Sequence, residues 1–129
     1  MPHFHIEYSA NVEDWVDMAA FCEAIRVEAV SISAFPMPGV RVRATRVDHY
    51  AIADGDPKHG FIDISVRLRA GRPEDVKAAA ITRIFDAAKA NLTYVMAQHS
   101  IALSAEMRDI DTKLSPKTGT IREHLEERE

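Results

Sequence analysis

Residues 3–9 alternate without a break: Phe4, Ile6 and Tyr8 are apolar or aromatic, with His5, Glu7 and Ser9 polar beside them. A period of two is that of a strand with one buried face. Asn11 then offers an N-cap, with Glu13 and Asp14 in a first turn whose dipole favours acid. Trp15, Met18, Cys22, Ile25, Ala29 and Ile32 recur at helical spacing to about Ser33, which predicts a helix with one apolar stripe. Phe35-Pro36-Met37-Pro38-Gly39 ends it, because each proline disfavours helix at the residue before it. A second strand follows, in which Val40, Val42 and Ala44 alternate with Arg41, Arg43 and Thr45. Tyr50 and Ile52 continue that segment, and the slip near Arg46-Val47 reads as a bulge.

The same order then returns. Asp54-Gly55-Asp56-Pro57 marks a turn, and a third strand runs from Gly60 to Ala70 with Ile62, Ile64, Val66 and Leu68 on one face. Gly71 breaks it, and a second helix opens at Pro73-Glu74-Asp75 with the stripe Val76, Ala80, Ile84, Ala88, Leu92 and Val95. Ile101, Leu103, Ala105 and Met107 share one side of a fourth strand. After Ile110 the tail is polar, and a short helix is expected at its end. Superposing the halves sets Glu13-Asp14 on Glu74-Asp75, Val42 on Leu103, Ala44 on Ala105 and Asp48 on Asp109, a weak internal repeat.

The expected fold is therefore α+β, one domain over residues 1–129. A first β-α-β unit occupies 1–53, a second 60–110, and a tail 111–129. Each unit makes a parallel strand pair, and two units give a four-stranded mixed sheet with both helices on one face. The apolar content leads to the expectation that neighbouring subunits cover the other face.

Composition narrows the function classes. With 129 residues, 47% hydrophobic and 28% charged, the chain has the make-up of an ordinary soluble domain. Its apolar runs fall far short of the roughly 20 residues that span a bilayer, and the opening residues do not form a greasy signal segment. The lone Cys22 excludes an intrachain disulfide and reads as a plain buried thiol. It fits a reducing compartment, so a cytoplasmic location is expected. A net charge of −4 gives nucleic-acid binding no support. Arg41, Arg43 and Arg46 nevertheless cluster in one segment and Arg67, Arg69 and Arg72 in another, while residues 121–129 are acidic in balance, with four glutamates against two arginines. Cationic pockets within an acidic protein point to a small anionic ligand.

The candidate chemistry begins at Pro2. Its small size lets an initiator methionine be removed, leaving a secondary amine at the start of a strand. A free α-amine titrates near 7.7–8.0, and burial or nearby arginines lower that value toward the range where a general base works at neutral pH. Arg41 is a candidate anion ligand through its bidentate fork, Arg72 sits between Gly71 and Pro73 at a strand end, and Arg43 is a weaker candidate on the face of Arg41. His3 and His5 form an i, i+2 pair, read as interface or solvent-facing rather than metal-binding. His49, His59, His99 and His124 show no ligand spacing, and no metal site is expected. Asp48 and Asp109 read as structural strand-end residues, Glu13 and Glu74 as helix-start residues.

Met1-Pro2-His3-Phe4, then Phe35-Pro36-Met37-Pro38-Gly39-Val40-Arg41-Val42-Arg43, Ala53-Asp54-Gly55 and Ala70-Gly71-Arg72 follow one another at set distances. Together they resemble the 5-carboxymethyl-2-hydroxymuconate delta-isomerase family of the tautomerase superfamily, over about residues 1–114. The resemblance implies a homotrimer with sites near subunit boundaries. It maps the catalytic amino-terminal proline to Pro2 and the carboxylate-binding arginines to Arg41 and Arg72. It also implies a cofactor-free isomerase that moves a proton from a dienol oxygen to a carbon of an unsaturated 2-hydroxy acid in aromatic-compound catabolism. The tail departs from the family pattern of a lysine, an asparagine and a histidine. Lys117 and His124 are candidates for two of these, but Thr118-Gly119-Thr120 replaces the asparagine, and Glu126-Glu127-Arg128-Glu129 is foreign to it. Two alternatives stand beside the isomerase: hydration or dehalogenation of a small unsaturated acid on the same fold, and a non-catalytic oligomeric binding protein.

Overall fold

In the computed structural model, which describes residues 1–125, four strands form one sheet in the order β2-β1-β3-β4. They are β1 (His3–Ser9), β2 (Arg41–Val47), β3 (His59–Arg69) and β4 (Ser100–Ile110). β1 runs parallel to β2 and antiparallel to β3, and β3 runs parallel to β4. The sheet is thus mixed, with each β-α-β unit supplying one parallel pair and the units meeting at β1 and β3. The crossovers are α1 (Met18–Val30) and α2 (Glu74–Asn91), the latter extended by α3 (Thr93–Gln98).

Both main helices press on one face of the sheet. Phe4, Ile6, Ile62, Ile64, Val66 and Leu68 point into a buried cluster with Phe21, Ile25 and Ala29 of α1 and Ala80, Ile84 and Ala88 of α2. Phe35 closes its end, edge-on to Phe4 with ring centroids 5.1 Å apart. The alternation in the strands and the stripes on the helices produce this core directly. Among the described residues no helix is long and apolar enough to cross a membrane.

Several expectations need correction. The first helix does not start at Asn11: residues Ala10–Asp14 form a 3-10 turn, and the cap of α1 is Asp17, whose carboxylate accepts from the Ala20 N–H at 3.1 Å. Asn11 is engaged elsewhere, accepting from the Ser9 hydroxyl at 2.7 Å and donating to the His59 carbonyl at 2.8 Å. Glu13 likewise accepts from the Tyr8 hydroxyl and from Arg46 Nη1, so it braces β1 and β2 instead of opening a helix.

The second strand stops at Val47, and its register with β1 runs unbroken to that point, without a bulge. Arg46 lies opposite Tyr8 and is tied to Asp48 at 2.7 Å, and the chain then turns through Ala53 (φ 53°) and Gly55 (φ 87°). Arg46 therefore leaves the arginine cluster of Arg41 and Arg43. Val76, placed in the buried stripe of α2, is exposed in its first turn.

The sheet face away from the helices is polar rather than apolar. Rows across β2, β1, β3 and β4 read Arg41-His3-Arg67-Arg108, then Arg43-His5-Ser65-Glu106, then Thr45-Glu7-Asp63-Ser104. Most of the buried apolar content goes into the helix-side core, with Phe61 and Ala102 the apolar pair on the other face. The tail does hold the short helix expected there, a 3-10 helix at Ile121–His124, and the acidic run at 126–129 lies outside the described residues.

Candidate active site

β1 is an inner strand, so the start of the chain enters the sheet between two neighbours. Pro2, just before it, is fully buried, and its carbonyl accepts from the Arg41 N–H at 3.2 Å. Proline has no N–H of its own to leave unsatisfied in that position. The space it fills is made by Gly39. An added Cβ there would lie 3.1 Å from Pro2 Cδ and 3.1 Å from Met1 Cα. Pro36 caps the 3-10 turn Met37–Gly39, and that turn holds the Gly39 backbone against residues 1 and 2.

Arg41 opens β2 in register with His3. Its Nη1 donates to the Gly39 carbonyl at 3.0 Å and reaches Met1 Sδ at 3.7 Å. Arg43 lies 3.2 Å from His3 Nδ1, and His5 Nε2 lies 2.9 Å from the Thr45 hydroxyl. Both histidines are thus occupied by β2 side chains. Arg72 follows Gly71, whose φ of 121° turns the chain out of β3, and donates to the Arg69 carbonyl at 3.3 Å.

The electrostatics at this end are one-sided. The α-amine is held below its ordinary 8.0, first by burial and then by the positive fields of Lys117, Arg72, Arg69 and Arg41. His3 is likewise held below 6.5 by burial and by Arg67, Arg43 and Arg41. Among the described residues Arg26, Arg46 and Arg83 pair with carboxylates, whereas Arg41, Arg43, Arg67, Arg69, Arg72 and Arg108 do not. Asp48 and Asp109 answer to Arg46 and Lys77 respectively, in keeping with structural strand-end roles.

A cleft of about 360 Å³ opens beside Met1, walled by Gly39 and Arg41 on one side and by Lys117, Gly119 and Arg122 of the tail on the other. Another cleft, of about 390 Å³, lies on the loop after β2, but Asp48 and Asp56 line it and it sits at the Ser9 end of β1, away from Pro2. The former alone is lined by Arg and Lys side chains with no acidic residue, which makes it the electropositive one of the two.

The structure therefore brings Pro2 and Arg41 together. Arg72 stands close enough to act on the amine but does not wall the cleft. Arg122 carries no signal in the sequence, and Gly39 shows there only as part of a helix-ending, family-like run, because both roles depend on how the 3-10 turn and the tail fold back on the chain start. Arg69 was visible as a member of the Arg67-Arg69-Arg72 cluster.

Comparison with known proteins fits this geometry. The family model of 5-carboxymethyl-2-hydroxymuconate isomerase matches residues 2–125. The 5-carboxymethyl-2-hydroxymuconate Delta-isomerase of Escherichia coli is 26% identical over 121 residues, 94% of this chain and 96% of that protein. A crystal structure of a 5-carboxymethyl-2-hydroxymuconate delta-isomerase superposes with a TM-score of 0.90 at 29% identity, covering 97% of this chain and 93% of the other. A 5-carboxymethyl-2-hydroxymuconate isomerase from Deinococcus radiodurans R1 gives 0.87 at 25% identity, covering 96% and 93%. With the match running from Pro2 through both β-α-β units into the tail, the chain belongs to the 5-carboxymethyl-2-hydroxymuconate isomerase family, enzymes of the tautomerase superfamily.

Proposed function

We propose that the chain is a cofactor-free tautomerase acting on an unsaturated 2-hydroxy acid, with 5-carboxymethyl-2-hydroxymuconate as substrate and Pro2 as base. Loss of Met1 turns the Pro2 amide nitrogen into a secondary amine. That nitrogen lies one peptide unit further in than the Met1 amine, at a fully buried residue whose carbonyl is bonded to Arg41. Burial and positive neighbours both favour the neutral, basic form. The amine takes the proton of the dienol hydroxyl, the carbonyl forms as the double bonds shift, and the proton returns to carbon; substrate and product are isomers. Arg41 and Arg72 hold carboxylates and stabilise the negative charge that develops on the way.

One observation carries the reading: the buried Pro2 stands at the start of β1 between two clefts lined by Arg41, Arg67, Arg69, Lys117 and Arg122 and by no acidic residue. We further place the protein in the cytoplasm, where a free Cys22 persists, in a catabolic route for aromatic compounds. The whole chain acts as one domain around one core, and three copies pack around the polar sheet face, leaving its chain-start end, where the clefts beside Met1 lie, open at the subunit boundary. Inserting one residue before Pro2 tests the base. The account expects turnover of the dienol to be abolished with unchanged circular dichroism; full turnover in that chain contradicts it.

A further inference from the structure

A second, smaller cleft of about 110 Å³ lies on the other side of Met1, toward the open sheet face, with His3, Arg67, Arg69 and Lys117 among its walls. Met1 and Lys117 belong to both clefts. We propose that removal of Met1 joins them into one trough across Pro2, in which Arg67 and Arg69 bind a second carboxylate of the substrate opposite the Arg41 lobe. This rests on the reading of Pro2 as the base.

Charge supports the assignment. Neither cleft at Met1 contains an acidic residue, in a chain with 20 acidic and 16 basic side chains. Clefts elsewhere do: one holds Asp48 and Asp56, another Glu74, Glu106 and Asp109, another Glu23. Arg67 and Arg69 make no ion pair among the described residues. Two places apart on β3, they share its open face and present two guanidinium forks to one anion.

Size supports it too. The smaller lobe has room for roughly three or four waters at about 30 Å³ each, which suits a carboxylate on a short arm and not a ring. The larger lobe takes the rest of the molecule. The favoured substrate class is an unsaturated acid with carboxylates on both sides of the atoms between which the proton moves. Lys117, common to both lobes, sits where the two halves of such a molecule meet. Arg67 and Arg69 are thus specificity residues for the acid's second arm.

The test pairs Arg67→Gln and Arg69→Gln, singly and together, with two substrates. For 5-carboxymethyl-2-hydroxymuconate, kcat/KM should fall about 10- to 200-fold in the double variant, the loss of a charge-assisted hydrogen bond. For the monoacid phenylenolpyruvate it should stay within about threefold of the parent. Equal losses on both substrates, or none on the polyacid, overturn the proposal. Calorimetric titration with glutarate, which has no double bond to isomerise, separates the subsite from the base. The Met1-free parent should bind it more tightly than the double variant or a chain with one residue inserted before Pro2. A parent inactive on both dienols but showing that glutarate pattern refutes the Pro2 reading and upholds the subsite. Glutarate binding unchanged by both alterations refutes the subsite whatever the activity.

Discussion

Gly39→Ala is the sharpest way to disturb Pro2 without touching a charge. The new Cβ would sit 3.1 Å from Pro2 Cδ, several tenths of an ångström inside the 3.5–4.0 Å of a comfortable carbon contact. Excision of Met1 removes the neighbouring clash with Met1 Cα but leaves this one. Neither partner is free to yield. The Gly39 N–H donates to the Pro36 carbonyl at 2.9 Å and its carbonyl accepts from Arg41, while the Pro2 carbonyl is held by the Arg41 N–H at 3.2 Å. Overpacking of this kind costs about 1–3 kcal/mol, and displacing a reacting group by about 1 Å costs on the order of 100-fold in rate. A shift of a few tenths should therefore lower kcat/KM roughly 10-fold, with a fall in Tm of a few degrees by calorimetry. The loss should appear with monoacid and polyacid dienols alike, because the base has moved and not a carboxylate ligand. Parental kcat/KM and Tm together would show that Pro2 has slack on this side, and the packing argument would fail.

Other predictions address the surrounding charges. Arg41→Ala should cost about 1.5–3 kcal/mol of transition-state stabilisation, about 10- to 200-fold in kcat/KM, and Arg72→Ala less, since Arg72 does not wall the cleft; steady-state kinetics on a polyacid decides. His3 is held below 6.5 in the fold, so the unfolded chain binds more protons and stability falls as pH drops through and below 6.5. Urea midpoints should show His3→Gln flattening that slope. The Tyr8 phenol is pushed up to about 12 by its hydrogen bond to Glu13, by burial and by the Glu13 charge. Its contribution is present below pH 10 and lost as pH rises toward 12, and in Glu13→Gln an alkaline absorbance titration should move the phenol back toward 10.0.

Much of the fold was legible because its strands alternate cleanly and its helices carry continuous stripes. Phe4-Ile6-Tyr8, Ile62–Leu68 and the Ala80-Ile84-Ala88 stripe of α2 all bury the residues that periodicity selects. Local polar chemistry misled at the margins. Asn11 has the right side chain for a cap, but its long-range bond to His59 outweighs the local one, and Asp17 caps the helix. Tyr50 and Ile52 keep the look of a strand although Ala53 and Gly55 turn the chain with positive φ. At the site, Pro2 and Arg41 could be singled out because their residue types suit the chemistry. Gly39 and Arg122 act by position, and although Lys117 could be matched to the family's lysine, a chain read in one dimension does not show that the tail closes on its own beginning.

The central claim is that Pro2 carries a free amine of lowered basicity, and a nitrogen-15 NMR titration of proline-labelled protein measures that directly. The account predicts one proline resonance with the shift of a secondary amine, titrating once, below 8.0, at the same pH where kcat/KM rises to its plateau. A residue-2 nitrogen that remains an amide in fully active protein, or an amine titrating above 8.0, would contradict it.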